Sequence, residues 1–159
     1  MTGKPIAIVT GVGPGTGAAI VKRFSAGGFR IIALARSAEL TNCLAQELPD
    51  VHAVTCDVSD ESQVRTVVND VKRRFGAAEV LIHNAVGGGW GSFREIDPKM
   101  LKGNFEVNVM GLLYLAREVA PDMIERGKGA ILVTGNKGQF RRLRSDKGGA
   151  AYIGRVDRA

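Results

Sequence analysis

The sequence has 159 residues, of which 45% are apolar and 24% are charged, and this composition fits a single soluble globular domain. No apolar run approaches the roughly 20 residues that a membrane-spanning helix requires, and Cys43 and Cys56 are too few for a disulfide framework or a zinc site. We therefore expect a cytoplasmic protein that does not associate with membranes. Membrane binding then does not account for the net charge of +6.

Short apolar runs alternate with longer amphipathic ones from residue 5 to about residue 134, which indicates strands alternating with helices. Strands are predicted at Ile6–Thr10, Arg30–Ala35, Val51–Thr55, Glu79–His83 and Ala130–Thr134. Helices are predicted at Gly15 to about Gly27, Ala38–Leu48, Ser59–Phe75, from Asp97 onward, and at about Glu106–Arg126. Short loops between such elements imply right-handed βαβ units, and so an α/β fold with a Rossmann-like, doubly wound parallel sheet of about five strands.

The regular pattern stops near Asn136, where the charge balance also changes. Residues 1–136 carry 15 basic and 14 acidic residues, whereas residues 137–159 carry seven basic and two acidic ones. We therefore predict a domain over residues 1–136, with an incomplete sheet, followed by an irregular basic tail over residues 137–159.

A glycine-rich turn, TGVGPGTG, joins the first predicted strand to the first helix. Gly11 can adopt backbone angles that are closed to other residues, and Gly15 and Gly17 have no Cβ to block a close approach. The helix that follows directs unpaired N–H groups at a phosphate. The turn therefore predicts a dinucleotide pyrophosphate site, and the alternative is a helix-entry loop without a ligand. Its predicted cofactor-binding residues are Thr10, Gly11, Gly13, Gly15, Thr16 and Gly17.

Arg36 ends the second strand, at the place where the adenosine ribose of a dinucleotide would lie. An acidic residue there would hydrogen-bond both ribose hydroxyls and favour NAD, whereas an arginine offers a planar charged fork to a 2′-phosphate. We therefore predict NADP as the cofactor, with NAD as the alternative. A solvated surface arginine is the other interpretation of Arg36.

These motifs, in this order, resemble the short-chain dehydrogenase/reductase family over about residues 4–136. The glycine turn resembles the cofactor turn of that family, and Asp57-Val58 after the third strand resembles its adenine-contacting pair. Asn84-Ala85 resembles the start of its Asn-Ala-Gly motif, in which Val86 here replaces the glycine. Asn108 matches the active-site asparagine in its long helix.

The resemblance implies a role for each of these residues. The Asp57 carboxylate would accept from the adenine amino group and the Val58 amide would bind the ring, while Asn84 and Ala85 would brace the central strand beside the ribose. Asn108 would be catalytic, bending its helix and holding a water in a proton relay. The alternatives are a helix N-cap for Asp57, a strand-end cap for Asn84 and an ordinary buried amide for Asn108. His83 is interpreted as a strand-end or core histidine rather than a base.

The catalytic pair of the family is missing from the sequence. Carbonyl reduction in this family requires a Tyr-x-x-x-Lys pair and a serine after the fifth strand. Tyr152 is followed four residues later by Val156, and Thr134-Gly135-Asn136 occupies the place of the serine motif. We therefore expect these 159 residues to retain cofactor binding and to lack activity.

The basic tail has no apolar periodicity, and a shifted reading frame of residues 137–159 can encode a Tyr-x-x-x-Lys pair followed by an amphipathic helix. The hypothesis is that the C-terminal part is truncated or out of frame, which sequencing of the encoding DNA tests. The later elements of the family would then be absent. A homo-oligomer interface would be incomplete, the fifth strand would be an open edge, and the domain would be prone to aggregate.

Three functions follow as hypotheses. The first is an NADP-dependent oxidoreductase, by resemblance, that moves a hydride between nicotinamide and a small alcohol or carbonyl compound. The second is a non-catalytic nucleotide-binding module. The third is a nucleic-acid-binding protein that uses the basic tail, which is disfavoured because only Phe140 and Tyr152 provide aromatic platforms there.

Overall fold

A computed structural model gives the fold of the chain and describes residues 3–89 and 94–135. The described strands are β1 (Ile6–Thr10), β2 (Arg30–Ala35), β3 (Val51–Thr55), β4 (Val80–His83) and β5 (Ala130–Val133). The helices are α1 (Thr16–Ala26), α2 (Glu39–Glu47), α3 (Glu61–Phe75), α4 (Pro98–Phe105) and α5 (Gly111–Glu125), with a π-helical turn at Glu106–Met110 between the last two. No helix in the described ranges is long and apolar enough to cross a membrane.

The five strands form one parallel sheet in the order β3-β2-β1-β4-β5. The prediction of a Rossmann-like, doubly wound parallel sheet is confirmed. The central strand β1 is buried along its whole length, as its continuous apolar run requires. β2 and β4 lie on opposite sides of β1 and run parallel to it, so the carboxyl ends of the three strands lie side by side.

Alternate residues of the strands enter two separate cores, one on each face of the sheet. Ile8 and Ile32 pack with the apolar faces of α3 and α5, where Leu115 is fully buried. Ala7 and Ile31, one position earlier in each strand, pack against α1 and α2 on the opposite face. The two cores fix the sheet from both sides and leave its carboxyl edge uncovered by helices.

Two predicted helix starts carry side-chain caps. Asp60 accepts hydrogen bonds from the N–H groups of Ser62 (2.9 Å) and Gln63 (3.1 Å) at the start of α3. Asp97 accepts from the N–H of Lys99 (2.8 Å), and Pro98 occupies the first turn of α4. These caps explain why both helices begin close to their predicted positions.

The predicted helix from about Glu106 to Arg126 differs from the structure at its start. Its first turn is π-helical, over Glu106–Met110, and it continues directly from α4 without a break. A π turn inserts one extra residue, and apolar spacing does not reveal such an insertion. Two residues of the π turn, Val107 and Asn108, accept hydrogen bonds from residues at and after the end of β4.

β5 is the edge strand of the described sheet. All four of its residues are exposed, including Ile131, Leu132 and Val133. Its outer edge has no partner among the described residues. The open edge expected from the sequence stays a prediction. Residues 136–159, which contain the predicted tail, lie outside the described part of the chain.

His52 of β3 packs against Phe75, the last residue of α3, at the amino edge of the sheet. The two ring centroids are 4.4 Å apart, and the guanidinium groups of Arg30 and Arg74 lie 5.3 and 4.8 Å from the centroid of Phe75. Burial, followed by these two cations, lowers the pKa of His52 below its ordinary value of 6.5, while Asp50 acts in the opposite direction. The folded chain therefore favours the neutral imidazole.

The lowered pKa of His52 predicts a loss of stability in mild acid. As the pH falls through the ordinary value, the unfolded chain takes up the proton before the folded chain does, so the free energy of unfolding decreases. We expect His52→Gln to make this loss between pH 7 and pH 5 smaller, and urea unfolding at the two pH values measures it. A variant profile parallel to that of the wild type would contradict this assignment.

Candidate functional site

A cavity of about 650 Å³ opens at the carboxyl ends of the strands. Its wall comes from the turn after β1, the residues after β2, β3, β4 and β5, and the π turn. The lining residues are Gly11, Val12, Gly13, Gly15, Thr16, Gly17, Leu34, Ala35, Arg36, Ser37, Cys56, Asp57, Val58, Asn84, Ala85, Val86, Val107, Thr134 and Gly135. All predicted cofactor-binding residues except Thr10 are therefore brought together in one cavity.

Two glycines of the turn are required by the fold itself. Gly11 has φ +65°, and a Cβ on it would lie 2.4 Å from the Cα of Ala85. A Cβ on Gly17 would lie 2.6 Å from the carbonyl oxygen of Gly11. These two positions allow β4 and α1 to approach the end of β1.

Gly13 and Gly15 have a different environment. Both line the cavity, and a Cβ on either residue would meet no described atom within 4 Å. Packing within the described structure therefore gives no reason for glycine at these positions. The open space beside them is the cradle that a phosphate group would occupy.

The N-terminus of α1 faces this space without a cap. It has no side-chain hydrogen bond and no acidic residue in its first turn, in contrast to α3 and α4 with their aspartate caps. The N–H groups of Ala18 and Ala19 are used by the carbonyls of Gly13 and Gly15, whereas those of Thr16 and Gly17 take part in none of the described hydrogen bonds. The free N–H groups and the helix dipole favour an anion here.

Arg36 and Ser37 follow β2 and form one end of the cavity. Arg36 is exposed, and none of the ion pairs or hydrogen bonds between described residues involves its guanidinium. An uncompensated guanidinium beside a hydroxyl suits a phosphate monoester, because both groups donate hydrogen bonds to its oxygens.

Asp57 follows β3 at the same end of the cavity. Its Oδ1 accepts from the N–H (3.0 Å) and the hydroxyl (2.7 Å) of Ser59, which holds the turn before α3. The N-cap of α3 is Asp60, so the alternative interpretation of Asp57 as that cap is wrong. Val58 is 5% exposed and packs against α5 at Gly111, where a Cβ would lie 3.0 Å from the Val58 carbonyl oxygen.

Asn84 connects the ends of three strands. Its Nδ2 donates to the carbonyl of Gly11 (2.8 Å) after β1, and its Oδ1 accepts from the hydroxyl of Thr134 (2.9 Å) after β5. Both halves of the amide are thereby used to hold the floor of the cavity together. The structure places Asn84 as a brace, as the resemblance implies, and as more than a cap on its own strand.

Thr10 lies behind the cavity wall and not in it. Its side chain is fully buried, and its Oγ1 is 3.1 Å from Nδ1 of His83, whose Nε2 is 3.1 Å from the carbonyl oxygen of Val107. A carbonyl only accepts, so Nε2 carries the proton and the Thr10 hydroxyl donates to Nδ1. Thr10 Oγ1 then accepts from the N–H groups of Asn84 (3.2 Å) and Ala85 (3.4 Å). The predicted cofactor contact of Thr10 is corrected to an internal support.

His83 links β4 to the π turn, because the Val107 carbonyl is the acceptor that it reaches. Burial lowers the pKa of His83 below 6.5, and its hydrogen bond to Val107 acts in the opposite direction. An imidazole that is 2% exposed, with both ring nitrogens in internal hydrogen bonds, agrees with the interpretation of His83 as a strand-end or core residue. The same hydrogen bond holds a carbonyl of the π turn.

Asn108 lies in the π turn and outside the cavity lining. Its Oδ1 accepts a hydrogen bond from the N–H of Gly87 (2.8 Å), so it fastens the segment after β4 to the helix. The bend of the helix that the resemblance implies stays a prediction. The catalytic role of Asn108 stays a prediction.

Sequence reasoning did not single out several residues of the wall, although most of them adjoin predicted ones at strand ends. A position within two residues of the end of a parallel strand is the available signal for Ser37 and Thr134. Burial raises the pKa of the Cys56 thiol to about 11, so this cysteine is a core residue that also borders the cavity. Nothing in the local sequence indicates that Val107 reaches the wall, because its position depends on the π turn.

Residues 5–145 match the sequence profile of the family described as short chain dehydrogenase, which extends the resemblance past Asn136. The chain is 34% identical over 132 residues to a farnesol dehydrogenase of Aedes aegypti, covering 76% of this chain and 52% of that protein. It is 28% identical over 130 residues to a 7alpha-hydroxysteroid dehydrogenase of Escherichia coli K12, covering 79% and 51%. The chain thus spans about half the length of the curated relatives that it matches.

Solved structures show the same likeness. A short-chain dehydrogenase from Streptomyces avermitilis superposes with a TM-score of 0.77 at 34% identity, covering 82% of this chain and 48% of that one. A metagenomic short-chain oxidoreductase in complex with NADP superposes with a TM-score of 0.81 at 26% identity, covering 89% and 66%.

Replacement of glycine by alanine should have opposite effects at Gly17 and at Gly13. Gly17→Ala should destabilise the domain by roughly 2 kcal/mol, because its methyl group meets backbone atoms of the turn. Gly13→Ala should leave thermal unfolding nearly unchanged and weaken NADPH binding by about tenfold or more, because the methyl group enters the open cradle. Thermal melts and fluorescence titrations of both variants check this, and equal loss of stability in the two would contradict it.

Proposed function

Because the chain belongs to the short chain dehydrogenase family, we propose that it binds a nicotinamide dinucleotide, NADP in preference to NAD, in the cavity at the carboxyl ends of the strands. The observation that carries the proposal is the order of groups along the sheet. Arg36 lies at the β2 end, the uncapped N-terminus of α1 lies in the middle, and Val86 and Val107 form an apolar wall at the β4 end. NADP carries its groups in the same order, with a 2′-phosphate at the adenosine end, a pyrophosphate in the middle and the flat nicotinamide ring at the other end.

In this proposal the pyrophosphate occupies the open cradle beside Gly13 and Gly15. The N–H groups of Thr16 and Gly17 would donate to it, and the positive end of the helix dipole would stabilise its charge. The turn after β1 contains no acidic residue, so no negative charge in the turn opposes a bound anion. This part of the proposal requires only the backbone geometry of the turn.

The adenosine end would lie between the residues that follow β2 and β3. Arg36 and Ser37 would take the 2′-phosphate, and Asp57 and Val58 would border the adenine. Asn84 and Ala85 would lie beneath the riboses and hold the strands that carry the other groups. The relative whose structure contains NADP supports the choice by similarity.

When bound, the nicotinamide would supply or accept a hydride, and the proposed substrates are small alcohols or carbonyl compounds. We propose that these 159 residues bind the cofactor without catalysing the reaction, because neither tyrosine begins a Tyr-x-x-x-Lys pair. Tyr114 is followed four residues later by Glu118, and Tyr152 by Val156. Asn108 would be the remaining residue of the active site. A cytoplasmic location and an incomplete homo-oligomer interface stay predictions.

The preference for NADP can be tested at Arg36. Charge-assisted hydrogen bonds to a phosphate contribute about 1.5–3 kcal/mol, so Arg36→Gln should weaken NADPH binding by about 10- to 100-fold and change NADH binding little. Fluorescence titration with both nucleotides measures the two dissociation constants. Arg23→Gln removes an equally exposed arginine outside the cavity and should change neither constant. Tighter binding of NADH than of NADPH by the wild type would refute the preference.

The absence of turnover is a separate expectation. The 159-residue chain, mixed with NADPH and a panel of small aldehydes and ketones, should oxidise no more NADPH than a protein-free blank does. Absorbance at 340 nm over several hours is the measurement. Oxidation that increases with protein concentration and disappears in Gly13→Ala would show that the chain is catalytic, and the proposal of binding alone would be wrong.

A further inference from the structure

Side chains from one helix hold the segment after β4, Gly87–Gly89. Asn104 of α4 contacts Gly89 twice, because its Oδ1 accepts from the Gly89 N–H (3.2 Å) and its Nδ2 donates to the Gly89 carbonyl (3.1 Å). Asn108 accepts from the N–H of Gly87 (2.8 Å). Three hydrogen bonds therefore connect two asparagines to a segment that contains only glycine.

The segment lies directly against the helix. A Cβ on Gly87 would lie 2.5 Å from the Cα of Asn104, and a Cβ on Gly89 would lie 2.1 Å from Cγ of Met100. A substituent on Gly87 would meet the backbone of Asn104 and push the segment away from α4, whereas one on Gly89 would displace the Met100 side chain. Glycine is thus required at Gly87 for the contact with Asn104 to form.

The segment also determines where Val86 lies. Val86 directly precedes Gly87, lines the cavity and is 54% exposed, so its side chain projects toward the open space. Three consecutive glycines have more backbone freedom than any other tripeptide, and an unanchored segment would let Val86 move. An anchor at Gly89 limits this movement from the far side.

We propose that Asn104 is a positioning residue, which clasps the Gly87–Gly89 segment onto α4 and thereby fixes Val86 at the apolar end of the cavity. An asparagine suits this role because its amide offers one acceptor and one donor to the same glycine, as a neighbouring strand would. Alanine lacks both groups, and aspartate would place a carboxylate oxygen against the Gly89 carbonyl. The clasp itself is independent of the ligand, and only its effect on binding rests on the proposed function.

The single tryptophan of the sequence gives a direct readout, because Trp90 follows Gly89 in the chain. The experiment compares the wild type with Asn104→Ala and Asn104→Asp, and Asn69→Ala serves as the control at an exposed helical asparagine with no described side-chain hydrogen bond. Acrylamide quenching of Trp90 reports the segment, NADPH titration reports the cavity, and thermal unfolding reports the fold.

We expect Asn104→Ala to increase the quenching constant of Trp90 by about twofold and to weaken NADPH binding by about three- to tenfold, with Asn69→Ala unchanged in both. Asn104→Asp should behave like Asn104→Ala, because it lacks the donor to Gly89. If the alanine variant does not fold, quenching and NADPH binding of Asn104→Asp test the proposal. Unchanged quenching in both Asn104 variants would overturn the clasp. Increased quenching with unchanged NADPH affinity would overturn its link to the cavity.

The failure of the proposed function has a different signature. If the wild type binds neither NADPH nor NADH, the proposed cofactor is wrong, and the quenching of Trp90 still decides whether Asn104 holds the segment. If only the melting temperature changes in Asn104→Ala, Asn104 supports the helix and the positioning role is wrong.

Discussion

The rest of the structure depends on how closely the ends of β1 and β4 approach each other. Gly11 takes a left-handed conformation against the backbone of Ala85, at a distance that no Cβ would allow. The amide of Asn84 and the buried hydroxyl of Thr10 then satisfy the polar groups that this approach brings together. Because the turn after β1 leads directly into α1, this junction also fixes where the helix begins.

The same junction connects the turn to the distant π turn. Thr10 donates to His83, and His83 donates to the carbonyl of Val107, so one chain of hydrogen bonds crosses from β1 through β4 to the helix. The neutral state of His83 is part of this arrangement, since its two nitrogens must have opposite roles. The end of β1 and the π turn at the β4 end of the cavity are thereby supported by a single buried network, although they come from different parts of the chain.

Most of the architecture could be predicted from the sequence, because it depends on local patterns. Apolar runs marked the five strands to within one residue at most ends, and the positions of Asp60 and Asp97 marked the starts of two helices. The strand-end positions also identified most of the cavity wall. Local patterns do not predict the inward orientation of Thr10 or the π turn, because the partners of these residues lie 21 to 75 positions away in the chain.

The glycines show how far a sequence motif alone supports a function. Gly11 and Gly17 are explained by contacts within the fold, so a chain that bound nothing would still require them. Gly13 and Gly15 face open space, and no contact of the described chain accounts for them. A binding function therefore has its physical support in the second pair, although the motif does not distinguish the two. The same distinction applies after β4, where Gly87 is required by its contact with the backbone of Asn104, whereas Gly88 would accept a Cβ without a clash.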